Sequence, residues 1–164
     1  MALTTTRRAD LEEVVALARP VVEDVVWSTL ASVGPDGRPR TRIVHPVLRW
    51  DGGPSGWITS RPSDLRRRHL RTSASVSLLW WSPAQDVVTV DGDADWLPDD
   101  ERDAAWAAIA ATPPPTGFDP ATIWPEGPSS ASFAVIALRA RRIRVSLAAD
   151  AGRGLPAAMW SAPA

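Results

Sequence analysis

Residues 41–70 read TRIVHPVLRWDGGPSGWITSRPSDLRRRHL, and this stretch decides the fold. β-Branched and apolar residues run from Thr41 to Trp50, Asp51-Gly52-Gly53 supplies a turn, and Ser55 to Ser60 returns as a second extended run. Pro62 to Thr72 predicts a short helix. Ser60 or Ser63 stands ready as N-cap, Asp64 lies in the first turn, and arginines lie towards the C-terminal end. The stretch also carries Arg42, the pair Thr59-Ser60 and the run Arg66-Arg67-Arg68.

Working outward, residues 25–34 (VVWSTLASVG) predict a strand, and Pro35-Asp36-Gly37 a turn that folds residues 38–50 back on it as an antiparallel hairpin. Downstream, residues 75–82 and 86–97 predict two further strands, the second crossed by Gly92, where a bulge is expected. Residues 98–111 start with Pro and acids and predict a helix. Residues 132–147 predict the last long strand, and Met159 and Trp160 are expected to dock the tail. Upstream, Leu11, Val14, Val15 and Ala18 recur at helical spacing, which predicts a helix over 6–18 punctuated by Arg19-Pro20. The Pro-rich segment 113–128 holds Phe118, Ile123 and Trp124 and reads as an ordered loop, a candidate lid or pocket wall. About six strands with two or three helices and no βαβ alternation predict a mainly β protein, an antiparallel barrel with peripheral helices. One domain over 1–164 is expected, with its core at about 21–147 and a tail at 148–164.

Composition excludes several chemistries. There is no cysteine, hence no disulfide, thiol nucleophile or thiolate metal site. The two histidines, His45 and His69, are too few for a multi-histidine metal centre, and the aspartates at 86, 91, 93 and 95 read as a solvent face, so no metal is expected. All 18 basic residues are arginine, yet the net charge is −1, which argues against nucleic acid or a membrane surface as partner. No stretch approaches the roughly 20 apolar residues of a membrane span, and none resembles a signal peptide, so a cytoplasmic protein is the expectation. Nine tryptophans against no tyrosine suit core filling, subunit contacts or stacking on a flat ligand.

Guanidinium forks, hydroxyls and helix N-terminal amides all bind phosphate well. If residues 38–50 pair with 55–60, Arg42 comes near Thr59 and the following helix turns Arg66 towards them. Such a pocket suits a phosphomonoester on a flat heterocycle. Spacing alone leaves the plainer reading equally open: a solvated arginine face and a simple helix entry.

The order STLASVGPDGRPRTRIVHPV, GWITSRPSDLRRRHL, SVSLLWWSP and VVTVDGDADWL resembles the pyridoxamine 5′-phosphate oxidase-like, FMN-binding split-barrel superfamily, over about residues 21–145. Within it, the chain looks most like actinobacterial members that include deazaflavin-dependent reductases and general-stress-type flavin proteins. The resemblance implies a six-stranded antiparallel split β-barrel, a homodimer, and cofactor sites at its interface. Position by position, Arg42 matches a strand arginine on the cofactor phosphate, and Ile43 and Val44 match residues along the ring system. Ile58 and Thr59, with Ser60 after them, match the pair before the phosphate-binding helix, and Arg66 stands where members carry a lysine. Arginine replaces lysine with different geometry. Leu65 stands where an arginine is usual, the glutamine position near Val87 is apolar, and Arg144-Val145-Ser146-Leu147 replaces the oxidase's substrate motif.

No residue of this set stands out as acid, base or nucleophile, which suits redox chemistry carried by a cofactor. The function expected is an FMN-binding oxidoreductase acting on an unknown small molecule. The alternatives are a deazaflavin (coenzyme F-420)-dependent reductase and a non-enzymatic cofactor or haem carrier. His45 is placed at the cofactor, as a hydrogen-bond donor or a haem ligand, or else is a half-buried strand residue.

Overall fold

A computed structural model describes residues 6–51 and 53–163, apart from the side chains of Leu65 and Arg66. In chain order the elements are β1 (Thr6–Arg8), α1 (Leu11–Val25), β2 (Ser28–Val33), β3 (Pro39–Val44), β4 (Pro46–Arg49), β5 (Ser55–Ser60), α2 (Asp64–Thr72), β6 (Ser75–Trp81), β7 (Val87–Trp96), α3 (Arg102–Ala111), β8 (Ala134–Ser146), α4 (Ala148–Gly152) and β9 (Ala157–Ser161). The protein is mainly β with some helices. The described residues form nine strands in an open sheet, where six strands in a barrel were expected. Hydrogen-bonded neighbours follow the path β1-β9-β8-β7-β6-β2-β3, and β5 joins β8 while carrying β4 on its other side.

The difference in count has local causes. β1 and β9 pair parallel to each other, Thr6 opposite Ala157, and β9 lies antiparallel on β8 through Arg142–Val145. The tail thus docks as a strand, with Trp160 opposite Ile143. The expected strand 38–50 breaks at His45-Pro46. Its first half pairs with β2, ending at Val44 opposite Ser28, and its second pairs with β5, starting at Pro46 opposite Ile58. Proline has no N–H to continue the first ladder, so the chain changes partner there.

The helix expected over 6–18 is shifted. It begins at Leu11, where the Asp10 side chain accepts the Glu13 N–H at 2.8 Å, and runs past Pro20 to Val25. A proline inside a helix costs about 3 kcal/mol. Val21 and Val22 beyond it continue the buried stripe of Val14 and Ala18, and each buried valine contributes roughly 1.5–3 kcal/mol, which offsets that cost.

The main core packs α1 against the inner face of the sheet through Leu30, Ile58, Leu78, Trp80, Val90 and Ile143. Trp80 is fully buried and its indole N–H donates to the Val26 carbonyl at 3.1 Å. A second cluster sets Trp124, Phe133, Ala105 and Val135 under α3. The bulge expected at Gly92 is present as a register shift between Asp91 and Gly92, and a Cβ at Gly92 would collide with the Arg139 carbonyl.

Candidate functional site

The change of partner at His45-Pro46 opens a fork. β4 stays on β5, while β3 diverges from it to join β2, so a wedge opens between β3 and the end of β5. Because β4 and β5 run antiparallel, Ile58 lies at the apex beside His45, and Arg61 lies at the same wide end as Arg42. Arg42 and His45 are three residues apart on an extended chain, about 10 Å.

A cleft of about 560 Å³ fills this wedge, a size suited to one cofactor or drug-sized ligand. Arg42, Ile43, Val44, His45, Ile58, Thr59 and Ser60 all line it. Arg66, the remaining candidate, sits in α2 with its side chain outside the described residues. The pairing expected to bring Arg42 beside Thr59 is replaced by the fork, since Arg42 stands opposite Leu30 on β2. Both nonetheless line the same cleft.

Arg42 is aimed from behind. Its Nη2 donates to Ser32 Oγ at 2.8 Å, and Ser32 is buried. Thr59, Ser60 and Arg61 follow one another along the facing wall. Two guanidiniums and two hydroxyls thus line one cleft, a donor set suited to a phosphate.

The narrow end is aromatic. His45 lies between Trp27 and Phe118, with ring centroids 5.1 and 4.8 Å away. Its Nε2 stands 2.9 Å from the Thr116 carbonyl oxygen. A carbonyl only accepts, so Nε2 carries the hydrogen. Burial holds the imidazole's pKa below its usual value, with the Thr116 contact opposing that shift.

The third wall is the Pro-rich loop, through Phe118, Ile123 and Trp124. Trp124 is fixed by its indole N–H to the Ser132 carbonyl at 3.0 Å and by an edge contact with Phe133 at 5.0 Å. Asp119 accepts the Ala121 N–H at 2.9 Å and shapes the turn that presents Ile123. The segment is a pocket wall, as its aromatic content suggested. Trp27, Leu30, Arg61 and Ile136 also line the cleft and were not singled out in the sequence. Only Arg61 had a local signal, as the next residue after Thr59-Ser60.

A second cleft, about 620 Å³, lies outside β5, β7 and β8 around Trp57 and holds none of the expected residues. Its Arg141 is already paired with Asp93. Among the described residues no group of three or more histidines and carboxylates stands where it would hold a metal.

Comparison with known proteins agrees with this geometry. A family model described as pyridoxamine 5′-phosphate oxidase matches residues 16–146. No curated protein sequence matches the chain. Among solved structures, a Clostridium acetobutylicum protein related to general stress protein 26 superposes with a TM-score of 0.70 at 13% identity, covering 93% of this chain and 96% of that one. A pyridoxamine 5′-phosphate oxidase-related, FMN-binding protein from Nostoc punctiforme gives 0.59 at 12% identity, covering 94% and 95%. A heme-binding protein from Mycobacterium smegmatis gives 0.62 at 20% identity, covering 94% of this chain and 59% of that one. At these identities the likenesses speak to fold. The family match spans most of the chain, and its core strands carry the fork that makes the cleft: this protein belongs to the pyridoxamine 5′-phosphate oxidase family.

Proposed function

We propose that the cleft binds FMN and that the protein is a flavin-dependent oxidoreductase acting on a small molecule. One observation carries this: a single cleft is lined both by Arg42, Arg61, Thr59 and Ser60 and by apolar and aromatic side chains. That combination matches a phosphate joined to a flat ring. Arg66 is assigned to the same phosphate by its position in α2.

When bound, the flavin supplies the two-electron redox chemistry. The chain's own part is binding and orientation. Arg42, held by Ser32, fixes the anion. Ile43, Val44 and Ile58 lie along the ring, and Phe118 with Ile123 keeps water from it. The His45 imidazole lines the cleft with its Nε2–H on the Thr116 carbonyl and its pKa lowered by burial.

A deazaflavin in place of FMN is the closest variant of this reading, because it presents the same phosphate-and-ring chemistry. A haem carrier is the other reading, supported by an imidazole held between two aromatic rings in the cleft and by heme-binding neighbours of the same fold. It would use Nδ1, since Nε2 holds the Thr116 carbonyl.

We place the protein in the cytoplasm as a homodimer with its cleft at the interface. Ile43 and Leu79 both stand opposite Thr29 on one sheet face, and Trp81 follows on that face of β6. Ile43 is 66% exposed and Trp81 60%, and Ile43 also lines the cleft, so a partner covering this face would reach the site. No helix among the described residues is long and apolar enough to cross a membrane.

Titration of the purified protein with FMN, read by tryptophan fluorescence, tests the reading. Saturable quenching that Arg42→Ala with Arg66→Ala removes, in a protein that still folds, is the expected result. Saturation by the deazaflavin alone would move the assignment there, and a Soret band on adding haem would favour the carrier. No response to any of the three would remove the cofactor claim.

A further inference from the structure

The hydrogen-bond polarity of His45 goes beyond the assignment of a cofactor. Its Nε2–H is spent on the Thr116 carbonyl, 2.9 Å away. In the neutral ring the other nitrogen, Nδ1, is then an acceptor with a lone pair. Nδ1 has no hydrogen-bond partner among the described residues, yet it is not sealed off as His69 Nδ1 and Trp96 Nε1 are. His45 lines the cleft at its aromatic end, so Nδ1 is open to whatever occupies that end.

The ring has little freedom to reverse this polarity. Trp27 and Phe118 pack against it from two directions, with centroids at 5.1 and 4.8 Å. Turning it over would break the Thr116 bond. The bond partner is also held: Gly117, next in the chain, packs so closely on Thr112 that a Cβ there would collide with the Thr112 carbonyl. The Gly117 N–H donates back to the Pro113 carbonyl at 3.0 Å. The loop therefore sets the tautomer of a residue on the opposite wall. The sequence left His45 as a donor to the cofactor, a haem ligand or a half-buried strand residue; the geometry makes its Nδ1 an acceptor.

Resting on the flavin reading, we infer that His45 is a specificity-determining acceptor, whose Nδ1 reads the ring N–H of the bound flavin. An oxidised isoalloxazine ring has a single N–H, at N3, between two carbonyls. Placing the phosphate at Arg42 and the ring towards the apex runs the ligand along the roughly 10 Å from Arg42 to His45. The carbonyl-rich edge then meets an acceptor that only its N–H satisfies. A ligand lacking that hydrogen leaves both the Nδ1 lone pair and its own substituent unaccommodated.

The test compares FMN with FMN methylated at N3, titrated into the full-length wild-type protein and into His45→Phe, which retains a ring between Trp27 and Phe118. The wild type is expected to favour FMN by about five- to tenfold, the scale of one neutral hydrogen bond, and the variant to lose that preference. Equal binding of both ligands by the wild type would overturn the inference and leave the FMN reading standing. A preference retained in His45→Phe would overturn it as well, because the N–H would then be read elsewhere. Failure of both ligands to bind the wild type would overturn the FMN reading and the inference with it. A second measurement needs neither variant nor ligand: nitrogen-15 NMR of the imidazole should show Nε2 protonated and Nδ1 bare. The opposite tautomer would refute the inference even if FMN binds.

Discussion

The cleft is bounded by two walls of different construction. On one side, Arg42 to Val44 and Ile58 to Ser60 belong to strands whose neighbours fix them through continuous ladders, β3 on β2 and β5 on β8. On the other, Phe118 to Trp124 belong to a loop held by a few side-chain anchors: Trp124 on Ser132 and Phe133, Asp119 on Ala121, and Thr116 on His45. Both guanidiniums stand on the sheet wall or directly after it, at Arg42 and Arg61, whereas the loop wall is apolar apart from Thr122. Strong anion binding needs donors preorganised to within fractions of an ångström, which a ladder provides. An apolar wall tolerates small displacements, so a loop suffices for it.

The contrast predicts different consequences for the two walls. Trp124→Ala should have the largest effect, on stability: removing a buried tryptophan costs about 3–5 kcal/mol, a fall in Tm on the order of 10 °C, measurable by calorimetry. Arg42→Ala should act on binding instead, weakening FMN by about 10- to 100-fold, the range of a hydrogen bond to a charged group, with Tm nearly unchanged. If Tm fell as far as in Trp124→Ala, the separation of roles between the walls would fail. Gly117→Ala should push Thr112 and the loop apart at a cost of about 1–3 kcal/mol, the scale of an overpacked site. It should also free His45 from Thr116, visible as a changed imidazole tautomer by NMR.

The smallest effect is a pH dependence. The fold lowers the His45 pKa below its ordinary value of about 6.5, chiefly by burial. On acidification the unfolded chain therefore takes up its proton first, and stability falls as pH drops below about 6.5 towards the lower folded pKa. Above that window the contribution is constant. Urea midpoints measured from pH 7.5 downwards should decline in the wild type and decline less in His45→Phe. Identical pH profiles would mean that burial does not hold the imidazole neutral.

How much of this was readable in the sequence follows the same division. Thr59-Ser60 before α2, the hairpin turn at Pro35–Gly37 and the bulge at Gly92 are set by residues adjacent in the chain, and each was legible. Arg42, Ile43 and Val44 came from a family resemblance, and they do line the cleft. The fork was not legible, because Pro46 announces a missing donor but not which strand will take the chain next. The continuation of α1 through Pro20 was hidden for a related reason: the valines that offset the proline find their partners on β6 to β9, far along the sequence. Trp27 gave no sign either, since its role depends on His45 and on Phe118, 91 residues away from it in chain order by their numbers.

The position of β8 has a further consequence. Residues 136–146 lie along β7, but the other edge is shared: residues 134–139 are covered by β5, and residues 142–145 by β9, with β1 outermost. β9 and β1 therefore act as a sheath over a strand that is otherwise central. Stripping β9 away would bare the backbone donors and acceptors of Arg142 to Val145, between the buried side chains of Ile143 and Val145, and offer other molecules a template for strand addition. Solubility of this protein should thus depend on β9 and on β1 beside it.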